Sequence, residues 1–377
     1  MTKISPIGRD ILPPGISARF IEGVNGLTMH VLEAGEPGHP VVLLLHGFPE
    51  LAYSWRRVMP ALAAAGYHVI APDQRGYGRT VGWDPRYDGD LRAFSLLNIV
   101  LDTLSLVAAY GLTHVDAVVG HDFGASVAAY CALVRPDVFR AVSLMSAPFG
   151  GPPPLTPPMG PDIHGALAAL DPPRRHYQWY YSTPGADDNM WHAKQGVHDF
   201  LRAYYHHKSA DWPGNTPYPL AGWTASELAK LPTYYIMPLH RGMAETVAAE
   251  MPTPAQIAAC TWLSESELGV YSGEYARVGF QGGLQWYRCR TVKSIHAELQ
   301  IFAGRSIDVP SCFIAGAADW GIHQKPGDLE AMRARTCTDM RFCELIPGAG
   351  HWVQQEQSSE VSRLLLAFLT GLHTRTN

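Results

Sequence analysis

The chain alternates short aliphatic runs with helix-length segments, and that rhythm limits its possible folds more than any other feature. Val41–Leu45 is a continuous aliphatic run of strand length, as expected of a strand covered on both faces. Residues 68–71, 115–120 and 141–145 read as further strands. Between them the pattern predicts a helix over 95–110, closed by Gly111, and another over Phe123–Val134, stopped by Pro136. Such alternation implies a parallel, doubly wound sheet. Upstream, residues 19–22 and 27–32 flank the turn Asn25-Gly26 and read as a hairpin. Ser54 is expected to cap a helix that carries Trp55, Val58, Met59 and Leu62.

The rhythm breaks at Phe149. The following stretch to Pro161 is crowded with glycine and proline and can continue neither helix nor strand, so it reads as a connector or flap. Residues 165–300 lack strand alternation and are rich in Trp, Tyr, His and Ala, as expected of a mostly helical insertion. Alternation then resumes: a strand over 311–315, a helix over 328–335, a strand over 340–346 and a last helix over 358–372. The expected class is α/β, with one core in two sequence pieces, 1–148 and 306–377, and a connector plus helical cap over 149–305.

Composition closes off other classes. The formal net charge of −5 leaves no broad basic surface for nucleic acid. The first 15 residues lack the apolar core of a secretory signal, and no apolar run approaches the ~20 residues of a membrane span. Cys131, Cys260, Cys289, Cys312, Cys337 and Cys343 form no CxxC pair and read as thiols of a reducing, cytoplasmic compartment. A monomer and a homodimer both fit this composition.

Chemistry concentrates at predicted strand exits. Gly120-His121-Asp122-Phe123-Gly124 joins an aliphatic strand to a helix of small residues. A sharp turn there needs small residues two before and two after its apex, which raises the apex side chain above the sheet. This is the nucleophile-elbow pattern, with Asp122 where serine hydrolases carry Ser. A bare helix cap would explain Asp122 equally well in isolation. Two later strand exits add to it: Gly316-Ala317-Ala318-Asp319 and Gly348-Ala349-Gly350-His351, in the order nucleophile, acid, histidine. Directly after the first parallel strand, His46-Gly47-Phe48-Pro49-Glu50 can aim the Phe48 N–H at the same point as the Phe123 N–H, two donors for an oxyanion.

Together with Asp73-Gln74-Arg75-Gly76-Tyr77-Gly78 and Trp352, these strings resemble the epoxide hydrolase branch of the α/β-hydrolase superfamily, over almost the whole chain. The resemblance implies an α/β-hydrolase fold with an inserted helical cap and a triad of Asp122, Asp319 and His351. It also implies two ring-opening tyrosines in the cap. The segment from Gly279 to Arg288 resembles the one that carries the first, which falls on Tyr287. The segment from His176 to Gly185 resembles the other, which falls on Tyr177, with Tyr180 and Tyr181 as close rivals.

Residue chemistry agrees. A carboxylate attacking an ester carbonyl would give a reactive anhydride, whereas attack on an sp³ carbon gives an alkyl ester that can wait for water. Asp122 therefore argues against an esterase or peptidase. An epoxide oxygen leaves as an alkoxide and needs a proton, which a tyrosine of ordinary pKa ~10 can donate near pH 7. Water activated by His351, oriented by Asp319, would then release a vicinal diol. A dehalogenase on the same scaffold is the nearest alternative; Phe48, Phe123 and Ser126 stand where such enzymes place halide-binding or cationic residues. A non-catalytic ligand receptor is the other, and a complete triad disfavours it. No cofactor or metal is expected: HExxH is absent, His206-His207 is read as a pair on a solvated face, and Gly348-x-Gly350 as a turn. The expected partners are a small apolar epoxide and water. Phe48, Phe123, Trp179, Trp286 and Trp352 are candidates for the pocket wall.

Overall fold

The computed structural model describes residues 4–156, 160 and 162–373. Eight strands form the central sheet: β1 (Ile16–Val24), β2 (Leu27–Ala34), β3 (Val41–Leu45), β4 (His68–Pro72), β5 (Ala117–His121), β6 (Val142–Met145), and, after the insertion, β9 (Ser311–Gly316) and β10 (Met340–Ile346). Their order is β1-β2-β4-β3-β5-β6-β9-β10. β2 pairs antiparallel with β1 and β4, and every other pairing is parallel. All five residues of β3, β4 and β5 are buried, which is why Val41–Leu45 reads as an unbroken aliphatic run. Helices α1 (Met59–Ala64), α2 (Leu96–Ala109) and α3 (Phe123–Val134) follow β3, β4 and β5. Ser95 caps α2 through the Asn98 N–H, and Gly111 takes the left-handed φ of 69° that ends it.

Ser54 does not cap a helix. It lies in a 3-10 turn, Ala52–Trp55, and its hydroxyl is 2.9 Å from that of Tyr271 in the insertion. α1 starts later, at Met59, and has no side-chain cap. The insertion is mainly helical, but it holds two short strands, β7 (Arg174–His176) and β8 (Ile236–Pro238), paired as an antiparallel ribbon. Three residues each are too few to show a period of two in the sequence. The described connector residues 150–156 form neither helix nor strand; 157–159 and 161, part of the predicted flap, lie outside the described residues. The His206-His207 pair is not solvated. The helix Gly196–Lys208 buries its whole C-terminal half, and the His207 ring packs 4.5 Å from Trp212 and 4.8 Å from Tyr234.

Candidate active site

Three strand exits and the cap converge on one carboxylate. Asp122 stands between β5 and α3 at φ 54° and ψ −117°, a backbone position that few non-glycine residues adopt. Its neighbours make the turn possible. A Cβ on Gly120 would lie 2.0 Å from the Gly124 carbonyl oxygen, and one on Gly124 would lie 2.2 Å from the Leu45 carbonyl oxygen. The exit from β3 comes equally close, because a Cβ on Gly47 would lie 2.4 Å from the Asp122 Cβ.

The Asp122 carboxylate is held at both oxygens. Oδ1 accepts from the Phe48 N–H at 3.1 Å, and Oδ2 lies 3.5 Å from His351 Nε2. On the other side of the ring, Nδ1 is 3.2 Å from each carboxylate oxygen of Asp319, which itself accepts from the Gly321 N–H at 2.7 Å. Burial opposes ionisation of both aspartates. The contact with His351 outweighs it and holds both carboxyls below their usual range, with Lys208 contributing to each. Phe123 is the first residue of α3, so its N–H has no partner within the helix.

A cavity of about 470 Å³ opens onto Asp122 and Phe123. Tyr177, Trp179, Trp286 and Tyr287 line it from the cap. The Tyr177 hydroxyl accepts from Gln178 Nε2 at 3.1 Å and donates to Gln324 Oε1 at 3.2 Å. The Tyr287 hydroxyl makes no hydrogen bond among the described residues, and its ring packs edge-on 4.6 Å from Phe123. Burial raises both phenols above their ordinary pKa, so each keeps its proton. The rivals lie elsewhere: Tyr180 donates to Asn189 at 2.7 Å and Tyr181 to Tyr204 at 3.2 Å, and neither lines the cavity.

A family described as "alpha/beta hydrolase fold" matches residues 40–228. Epoxide hydrolase A of Mycobacterium tuberculosis is 36% identical over 96% of this chain and 100% of its own length. Among solved structures, an epoxide hydrolase from an endophytic Streptomyces superposes with a TM-score of 0.77 at 34% identity, covering 96% of this chain and 97% of that one. The chain belongs to the epoxide hydrolases of the α/β-hydrolase fold. Potato epoxide hydrolase I is similar as well, with a TM-score of 0.73 at 29% identity over 94% of this chain and 99% of that one.

In this epoxide hydrolase two expected pocket residues turn away from the cavity. The Trp352 indole is fully buried; its N–H donates to the Tyr205 carbonyl at 2.8 Å and its ring lies 4.4 Å from Tyr205. The turn that delivers His351 to the site sends the next side chain into the cap contact. The Phe48 ring is buried, 5.5 Å edge-on from Tyr287 and 5.3 Å from Tyr181, and its backbone N–H reaches Asp122. Trp179, Trp286 and Phe123 do line the cavity.

A second buried array sits beneath the triad and was not singled out from the sequence. His121 Nδ1 is 2.6 Å from Glu50 Oε2, and its Nε2 is 2.7 Å from the His351 carbonyl oxygen. Ser146 Oγ donates to that same carbonyl at 3.1 Å, and Glu50 Oε1 accepts from Gln354 and Gln355. Burial resists charge on both partners, but Glu50 holds His121 above its usual pKa and His121 holds Glu50 below, the pattern of an ion pair. Glu356 accepts from the N–H groups of Ala210, Gly350 and Trp352, gripping the turn on either side of His351. Glu50 and His121 stand inside the strings that carry the motif, so the signal was present; the direction of their side chains was not.

Proposed function

We propose that this epoxide hydrolase works through a covalent ester on Asp122. The observation that carries the reading is the placement of one cavity-facing carboxylate between a His351–Asp319 pair and two protonated tyrosines. Asp122 Oδ2 attacks one ring carbon while Tyr177 and Tyr287 hydrogen-bond the epoxide oxygen and one of them gives it a proton. Oδ1, already held by the Phe48 N–H, becomes the carbonyl oxygen of the ester. Water then gives a proton to His351 Nε2 and adds to that carbonyl carbon, with the Phe48 and Phe123 N–H groups as oxyanion donors. Collapse of the adduct releases the vicinal diol: its departing oxygen takes the proton from His351, and the second proton of the water returns to the tyrosinate.

The tyrosine pair favours an epoxide over a halide, because an alkoxide leaving group needs a proton and a halide does not. Aromatic lining by Phe123, Trp179, Trp286 and Tyr287 supports an apolar substrate. We take the core as 1–148 and 306–377 and the cap with its connector as 149–305. Six unpaired cysteines favour a cytoplasmic enzyme, acting as a monomer or homodimer and without nucleic acid. Among the described residues no helix is long and apolar enough to cross a membrane.

Tyr287→Phe tests the ring-opening role. It should slow ester formation by about 100-fold or more and ester hydrolysis far less, as read by rapid quench and product analysis. Equal slowing of both steps would contradict the assignment.

A further inference from the structure

Lys208 is a buried cation beside the triad that the reaction scheme above leaves without a task. It ends the cap helix Gly196–Lys208 and is 3% exposed. Among the described residues its ammonium makes no ion pair or hydrogen bond with a carboxylate. Instead it sits over four aromatic rings, 5.0 Å from the centroid of Tyr235, 5.3 Å from Trp352, 5.4 Å from Tyr204 and 5.7 Å from Tyr234. Such faces suit a cation stripped of water. The cage is continuous with the site. Trp352 packs edge-on 4.7 Å from the His351 ring, and Tyr235 packs 5.1 Å from Tyr177. The Lys208 carbonyl accepts the His351 N–H at 2.9 Å, which fixes the lysine's backbone to the catalytic turn.

A buried ammonium without a partner is costly and weakens the fold unless something offsets it. Here the charges that favour it are Asp122, Asp319 and Glu50, acting through space against the cost of burial. The cation that bears on the Tyr177 hydroxyl is a different one, Arg290, which lies over the Phe123 ring at 4.3 Å.

We propose that Lys208 is a positioning residue for the second half-reaction, a caged internal cation whose field holds negative charge on Asp122. This rests on the reading of Asp122 as the nucleophile. Ester formation breaks the ring C–O bond and moves the negative charge from Asp122 to the epoxide oxygen, and on to a tyrosine as the proton passes over. A cation beside Asp122 resists that shift. Ester hydrolysis runs the other way. Water loses a proton to His351 and adds to the carbonyl carbon, which puts the charge on Oδ1. The ester C–O bond then breaks, the departing diol oxygen takes the His351 proton, the second proton of the water returns to the tyrosinate, and Asp122 is again a carboxylate. The same cation assists each of these stages.

The test compares Lys208→Met with Lys208→Arg, with styrene oxide as the probe. Rapid quench and the mass of the Asp122 peptide follow the ester. In Lys208→Met, ester formation should be unchanged or faster and ester hydrolysis about tenfold slower. The ester then accumulates, and kcat and KM fall together. Lys208→Arg should bring the ratio of the two rates back toward that of the wild type. Thermal stability of the Met variant should hold or rise, since an unpaired buried charge has gone. Should Lys208→Met not fold, Lys208→Gln carries the same expectation. A rate ratio unchanged in the neutral variant, or left at the Met value by arginine, overturns the proposal. If the wild type itself forms no ester, the reading of Asp122 fails first; if it does and only the ratio is unmoved, Lys208 alone is at fault.

Discussion

Asp122 combines a strained backbone, with φ at 54°, and a carboxylate held at both oxygens. The strain persists because the residues around it leave the chain no other course. Gly124→Ala tests this at a single position: the new Cβ would meet the Leu45 carbonyl oxygen at 2.2 Å. It should destabilise the protein by about 1–3 kcal/mol in a urea melt and lower turnover with it. Gly269→Ala is the control, since a Cβ there meets nothing within 4 Å inside the helix Glu265–Val278. It should gain up to about 1 kcal/mol. Equal effects at the two positions would contradict the steric account. At this scale the sequence was most informative, because small residues flanking an apex are a backbone requirement that survives without coordinates. Side-chain direction is a different matter: Trp352 follows His351 by one residue and faces away from the cavity.

Elements of the cap are tied to the core by charge as well as by rings. The helix Glu265–Val278 presents Glu267 to Arg56 and Arg57, each at 3.0 Å, and Arg56 reaches on to Gln355 at 2.8 Å. Burial works against the Glu267 carboxylate, but Arg56 outweighs it and brings its pKa down to about 2. A carboxyl lowered on folding stabilises the folded form above its unfolded pKa, and that gain is lost as pH falls through the range from about 4.5 toward 2. The melting-temperature gap between wild type and Glu267→Gln should therefore be widest at pH 7, narrower at pH 3.5 and nearly closed toward pH 2. A gap that does not change with pH would count against this cap-to-core link. Such pairs are illegible in a sequence: Arg56 and Glu267 are joined by tertiary packing, not by spacing. So are Glu50 and His121, brought together at 2.6 Å. The β7–β8 ribbon escaped for another reason, being too short to carry a period.

Across the whole molecule, the proposed scheme draws different halves of the chemistry from the core and the cap. Exits from β3, β5, β9 and β10 deliver Phe48, Asp122, Asp319 and His351 to one sheet edge, as open α/β sheets do. The cap closes over them with Tyr177 and Tyr287. The architecture was readable because strand alternation stops at residue 149 and resumes at 311, and because glycines mark each exit. What packs inside the cap was not, since its aromatic residues serve as cavity wall, cation cage and filler alike. The claim that unites both halves is a covalent ester on Asp122. Incubating His351→Gln with an aryl epoxide and weighing the peptide that carries Asp122 tests it most directly. The account predicts a gain equal to the entire mass of the epoxide. An unmodified peptide, from a folded variant whose wild-type parent also makes no diol, would contradict it.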